Sequence, residues 1–183
     1  MSDETSTRTP RPCRQPIVAG ASPEERDPAQ WPPELFAPIQ RLLDESRARA
    51  GTAVQDSFDH PDRRLTAREF VTLWNACGLK AMATVGSTGR PHVAPVHAEF
   101  VKGRLRSTVY ANAVRRRDLQ ANPHVALTTW APGGAAAIVY GRAREVPDTL
   151  RDTRPGATGR ARRTVALEID ITRIYAMKAR TVE

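Results

Sequence analysis

Apolar residues recur at two different periods along this chain, and the period changes at Gly78. In the segment Trp31 to Gly51, the positions Leu35, Phe36, Ile39, Leu42 and Leu43 repeat at helical spacing. Pro33 suits a first turn and Gly51 a stop, which predicts an amphipathic helix. TAVQDSFDHPD reads as a loop. Thr66 and Glu69 then stand at capping-box spacing ahead of REFVTLWNAC, with Gly78 as C-terminal punctuation, which predicts a second helix.

Beyond Gly78 the alternation is that of strands. LKAMATVGS and PHVAPVHAEF flank a turn containing Gly89, and KGRLRSTVYA follows from a turn at Lys102 and Gly103. Both connections have hairpin chemistry, so three antiparallel strands are expected. AVRRRDLQAN is a short polar helix that must end before Pro123, because a residue preceding proline avoids the helical region. HVALTTWA, the turn APGG and AAAIVYGRAREV form another hairpin. PDTLRDTRPGATGRAR is loop-like, and RTVALEIDITRIYAMK alternates Val165, Leu167, Ile169, Ile171 and then Ile174 or Tyr175 as a long final strand. There is no internal repeat. Six strands with one short helix between the third and fourth predict a mainly β fold, an antiparallel barrel closed or nearly closed so that few edges stay bare.

Composition changes this picture little. A chain of 183 residues has room for one domain with a proper core. Residues 1–30 mix Pro, Ser, Thr, Asp, Glu and Arg around one apolar trio, Ile17 to Ala19, and read as a disordered tail. The expected organisation is that tail, a helical arm over 31–78 and a barrel over 79–183. No apolar run approaches the roughly 20 residues of a membrane span, and the first residues lack the apolar core of a secretory signal, so a soluble, cytoplasmic protein is expected. Cys13 and Cys77 make no disulfide framework, and no His/Cys cluster suggests a metal. The net charge of +8 raises nucleic acid as a partner. Nearly all of it is arginine, with lysine only at 80, 102 and 178, in a chain also rich in Ala and Pro; this resembles a compositional bias more than a binding stripe and argues against that partner.

Pro95 lies inside a predicted strand, where it cannot donate to a ladder. Proline is tolerated there at a sheet edge, or where the backbone faces a bulge or a ligand.

In order along the chain, ATVGSTGRPHVAPV, a hairpin, RRRDLQANPHVAL with its Leu-x-x-Asn-Pro at Leu119 to Pro123, and a strand containing YGRAREV resemble the pyridoxamine 5′-phosphate oxidase-like, FMN-binding split barrel superfamily. The resemblance covers residues 79–147 and, more weakly, the last strand. It implies a six-stranded antiparallel split β-barrel and a homodimer holding FMN in a groove between the subunits, with a small-molecule substrate. The family's helix-start lysine falls on Arg115, whose guanidinium fork suits a phosphate, and Arg117 matches a further basic position. A phosphate there also meets the free N–H groups and positive end of the helix. Arg116 points elsewhere. By the same resemblance Pro95, Val96 and His97 border the flavin ring, and Thr108 and Val109 contact the flavin or its ribityl phosphate. Trp130 stacks on a ligand, closes the dimer groove or simply packs.

The chain also departs from the pattern. Where the true oxidases carry two basic residues on the second strand, this chain has Ala94 and Glu99. The oxidases' C-terminal tryptophan and arginine motif is absent from ITRIYAMKARTVE, which argues against pyridoxamine phosphate oxidation. The four histidines, His60, His92, His97 and His124, include no assigned general base, which flavin chemistry does not require. The resemblance therefore implies a flavin-dependent oxidoreductase. Its alternatives are a deazaflavin-dependent reductase, whose acidic cofactor tail would suit an arginine-rich groove, and a flavin-binding protein without turnover. Haem binding would need His97 or His124 as axial ligand.

Overall fold

The structure, a computed structural model, describes residues 21–147, 151–153 and 162–180. The tail reading of residues 1–20 and the loop reading of 148–150 and 154–161 lie outside them.

Residues 21–30 correct the expectation of a tail reaching to residue 30. Helix α1 (Pro23–Arg26) is fixed by a capping box in which Ser22 Oγ accepts from Glu25 N and the Glu25 carboxylate accepts from Ser22 N. A 3₁₀ turn at Pro28–Gln30 follows. The segment is tied to the barrel by polar groups: the Glu25 carbonyl accepts from Trp31 Nε1 and from Lys102 N, the Lys102 ammonium reaches the Glu25 carboxylate, and Arg26 lies 3.4 Å from Glu99. A composition argument counts apolar residues and does not detect an arm held by hydrogen bonds.

Helix α2 (Ala37–Ala48) buries Ile39 and Leu43, as its spacing predicts. Helix α4 (Ala67–Ala76) has the predicted capping box at Thr66 and Glu69 and buries Phe70, Val71 and Trp74. Between them Thr52–Phe58, expected as a loop, is helix α3. It buries no residue, so it has no apolar stripe to read; it is held instead by flanking ion pairs of Asp59 with Arg47 and Arg64 and by Phe58 against Tyr175.

The sheet contains β1 (Lys80–Val85), β2 (Pro91–Val96), β3 (Ala98–Val101), β4 (Arg104–Tyr110), β5 (His124–Ala131), β6 (Ala135–Glu145), β7 (Arg151–Thr153) and β8 (Arg162–Met177), with α5 (Val114–Ala121) between β4 and β5. The strand order is β2-β1-β5-β6-β8-β4-β3, all antiparallel, and the short β7 also pairs with β8. Its two ends, β2 and β3, are consecutive in the chain and separated only by His97. PHVAPVHAEF, expected as one strand, therefore leaves one end of the sheet and enters the other, and the sheet curls into a split barrel. Helices α2 and α4 join the barrel interior in a single core containing Ile39, Phe70, Trp74, Met82, Leu127, Val139 and Leu167. No helix among the described residues is long and apolar enough to cross a membrane.

One glycine is required by close approach. The β6–β8 register shifts between Tyr140 and Gly141, and a Cβ on Gly141 would lie 2.7 Å from the Asp170 carbonyl oxygen and 2.8 Å from Ile169 Cγ2. Gly141→Ala is expected to destabilise the fold by about 2 kcal/mol, the usual cost of overpacking against backbone, read as a lower midpoint in urea. An unchanged midpoint would show that β8 yields there.

Candidate functional site

Residues whose side chains point out of the barrel form continuous cross-strand rows. One row runs Pro95, Ala81, Thr128, Ile138, Tyr175, and the next runs Val93, Ala83, Ala126, Tyr140, Arg173. Most of these side chains are small or apolar, yet Val93 is 67% exposed and Trp130, on the same face of β5, is 69% exposed. This is an open apolar sheet face, bounded at the β8 side by Tyr140 and Phe58 against Tyr175. Pro95 lies on β2, which has only β1 as a neighbour, so the edge position accommodates its missing N–H.

Helix α5 begins beside the end of β4. Its N-cap, Ala113, supplies no side-chain bond, and among the described residues the N–H groups of Val114 and Arg115 find no partner. Arg115 is half-buried and Arg117 exposed, and neither forms a hydrogen bond or ion pair with a described residue. Arg116 is occupied elsewhere: its guanidinium grips Glu145 at 2.8 and 3.0 Å, and this fork holds the Glu145 carboxyl below the usual carboxylate range. Two unpaired guanidiniums beside open helix N–H groups form a donor set that fits a phosphate.

The other expected site residues divide by strand alternation. Pro95 and Thr108 face outward, whereas the Val96 and Val109 side chains are buried in the core, so only their backbone can border a ligand. His97 pivots between β2 and β3: its Nδ1 lies 2.9 Å from the Gly78 carbonyl oxygen, and its own carbonyl accepts from Ser107 Oγ at 2.6 Å. His124 Nε2 accepts from Arg142 at 3.0 Å, which occupies the lone pair an axial haem ligand would need. Thr108 thus lies on β4, two residues before the strand ends and ahead of α5 in the chain, while Trp130 and Pro95 belong to the open face.

Two polar clusters escaped the sequence reading. Asp118, 5% exposed, accepts from Thr84 Oγ1 at 2.8 Å and is joined at 2.8 Å by His92 Nδ1. Burial alone would push its carboxyl up; the bonds from Thr84 and His92 and the Arg117 charge outweigh that and hold it low. The available signal was its place beside Leu119, the buried apolar residue of α5. The second cluster is a ladder of alternating charge across four strands, Glu99, Arg106, Glu168, Arg144, each opposite the next in register. Glu168 is 5% exposed and is met by Arg104 at 2.7 Å, by Arg106 at 3.6 Å and by Arg144. Part of the basic charge is paired within the fold, through Arg26, Arg47, Arg64, Arg104, Arg116 and Arg144.

A family model described as pyridoxamine 5′-phosphate oxidase matches residues 66–178, from the cap of α4 to just past β8. The chain belongs to this family. Among solved structures, a conserved hypothetical protein from Mycobacterium tuberculosis is similar to this family member at 16% identity and TM-score 0.54, over 68% of this chain and 96% of that one. The heme storage protein HutZ from Vibrio cholerae aligns at 13% identity and TM-score 0.48, over 61% of this chain and 94% of that one. An F420 reductase aligns at 23% identity and TM-score 0.43, over 52% and 87%. No curated protein matches. Membership in the pyridoxamine 5′-phosphate oxidase family and the first of these likenesses agree with the split barrel described above.

Proposed function

We propose that this member of the pyridoxamine 5′-phosphate oxidase family is a cytoplasmic, FMN-dependent oxidoreductase acting on a small organic substrate. It works as a homodimer with the cofactor in the groove between subunits. The observation that carries this reading is the uncapped start of α5, with Arg115 and Arg117 unpaired beside it, next to an open apolar sheet face. FMN, when bound, supplies the hydride chemistry. The chain's own residues bind, orient and shield. Arg115, Arg117 and the helix N–H groups hold the phosphate, Thr108 lies on the strand leading to them, and the backbone at Pro95 to His97 with Val109 borders the ring. A second subunit laid against Val93 and Trp130 excludes water from the groove.

The deazaflavin alternative is favoured by one observation. Arg104, Arg106 and Arg144 gather around Glu168, with Asp170 also meeting Arg144, and the Arg104 and Arg144 side chains stay 61% and 48% exposed; Arg106 stands two residues along β4 from Thr108. Guanidiniums gathered and part-exposed in this way would receive a longer acidic cofactor tail.

An absorbance spectrum from about 300 to 600 nm, followed by titration with FMN and separately with the deazaflavin coenzyme, decides between them. Flavin bands or saturable micromolar binding of FMN are expected. Binding of the deazaflavin alone transfers the proposal to that cofactor, and binding of neither overturns both. Bleaching of bound flavin by a reductant and its return on adding an acceptor would separate an enzyme from a flavin carrier.

A further inference from the structure

We propose that His92 is a ligand-contacting residue at the phosphate end of the cofactor site, held in place by Asp118; this rests on the FMN reading above. Asp118 stands on α5 one turn after Arg115, so the two share a helix face. The Asp118 carboxylate is buried and doubly engaged, by Thr84 on β1 and by the His92 Nδ1 on β2. A ring fixed through Nδ1 presents Nε2 in the opposite direction, and the His92 side chain is 44% exposed. The ring therefore has a buried anchor and a free outer nitrogen, an arrangement that orients a histidine toward something beyond the protein.

The surroundings restrict what that can be. Asp118, with Arg117 beside it, supplies the charge on the α5 side; Thr84 supplies a neutral hydroxyl; at the turn, a Cβ on Gly86 would already stand 3.5 Å from His92 Cε1 and 3.1 Å from Asp118 Oδ1. Both donors meet the same oxygen, Asp118 Oδ2, while Oδ1 faces the Gly86 turn. The outward Nε2 is left as a polar contact the fold does not use, on a residue anchored to α5 one turn after Arg115, and it suits an anionic or hydroxylated group. Ala94, two residues on along β2, is too short to make such a contact, so His92 is the polar side chain β2 offers there.

The test compares FMN with riboflavin, which lacks the phosphate, in the full chain. His92→Ala should weaken FMN about tenfold and leave riboflavin within about twofold, the scale of one charge-assisted contact. His92→Gln, which restores a polar group at similar reach, should recover most of the loss. Asp118→Asn keeps an acceptor for Nδ1 and should cost less than Asp118→Ala. As a positioning residue, Asp118 should be non-additive with His92: the double alanine variant should bind FMN no worse than His92→Ala alone. FMN affinity unchanged in His92→Ala, or equal losses for FMN and riboflavin, would overturn the inference while leaving the FMN reading intact. A parent protein that binds neither would remove both.

Discussion

FMN affinity is expected to fall by about 10- to 150-fold when Arg115 is replaced by alanine, a loss of roughly 1.5–3 kcal/mol, the scale of a hydrogen-bonded charge contact. Arg115 has no described partner, so its removal takes a donor from a ligand without leaving a protein group unsatisfied. The melting temperature without cofactor should therefore stay near that of the parent. Arg115→Lys keeps the charge but loses the planar fork, and an intermediate affinity is expected. The control is one residue away. Arg116→Ala breaks the grip on Glu145 and should leave FMN affinity nearly unchanged, because that guanidinium faces another partner. Fluorescence quenching of FMN on titration reads all three variants. Equal affinity in Arg115→Ala and the parent would mean that phosphate is held elsewhere.

The elements that could be read from sequence are those whose side chains sort themselves between core and solvent. The capping box at Thr66, the alternation of Val165, Leu167 and Ile169, and the arrest of α5 before Pro123 all appear as expected. The pivot at His97 could not be read. Val96, Ala98 and Phe100 keep the same alternation through it and are all buried, so a strand that changes partners looks like a strand that does not. Helix α3 was invisible for the opposite reason, since it buries no side chain and leaves no period.

At the candidate site, unpaired groups were legible and networked ones were not. Arg115 and Arg117 come from the family resemblance, with the positive end of the helix as a second argument for a phosphate there. Nothing local marks Asp118 or Glu168. Only register across strands placed three arginines around Glu168, and only the docking of α5 on the sheet placed His92 and Thr84 on Asp118. Those are contacts between residues 24 to 64 positions apart, and no local window contains them.

Lys80 gives the second large effect, one of stability. It opens β1 and is 2% exposed, with its ammonium donating to the Cys77 carbonyl and lying 5.4 Å from the centre of the Trp74 ring. No carboxylate among the described residues forms an ion pair with it, and burial lowers its pKa from 10.5 to about 8. Between about pH 8 and 10.5 the unfolded chain keeps a proton that the folded chain has released, so folding stability rises with pH across that window, by up to about 3 kcal/mol. Below about pH 8 both states are protonated and the folded protein carries the full penalty. Lys80→Met removes the charge at nearly constant volume but forfeits the bond to Cys77 and the contact with Trp74, so a net gain of about 1–2 kcal/mol is expected at pH 7. Urea unfolding at pH 7 and pH 9.5 should show the parent gaining on the variant as pH rises. Parallel pH profiles, or a variant less stable than the parent at pH 7, would mean that the buried ammonium is better compensated than its surroundings indicate.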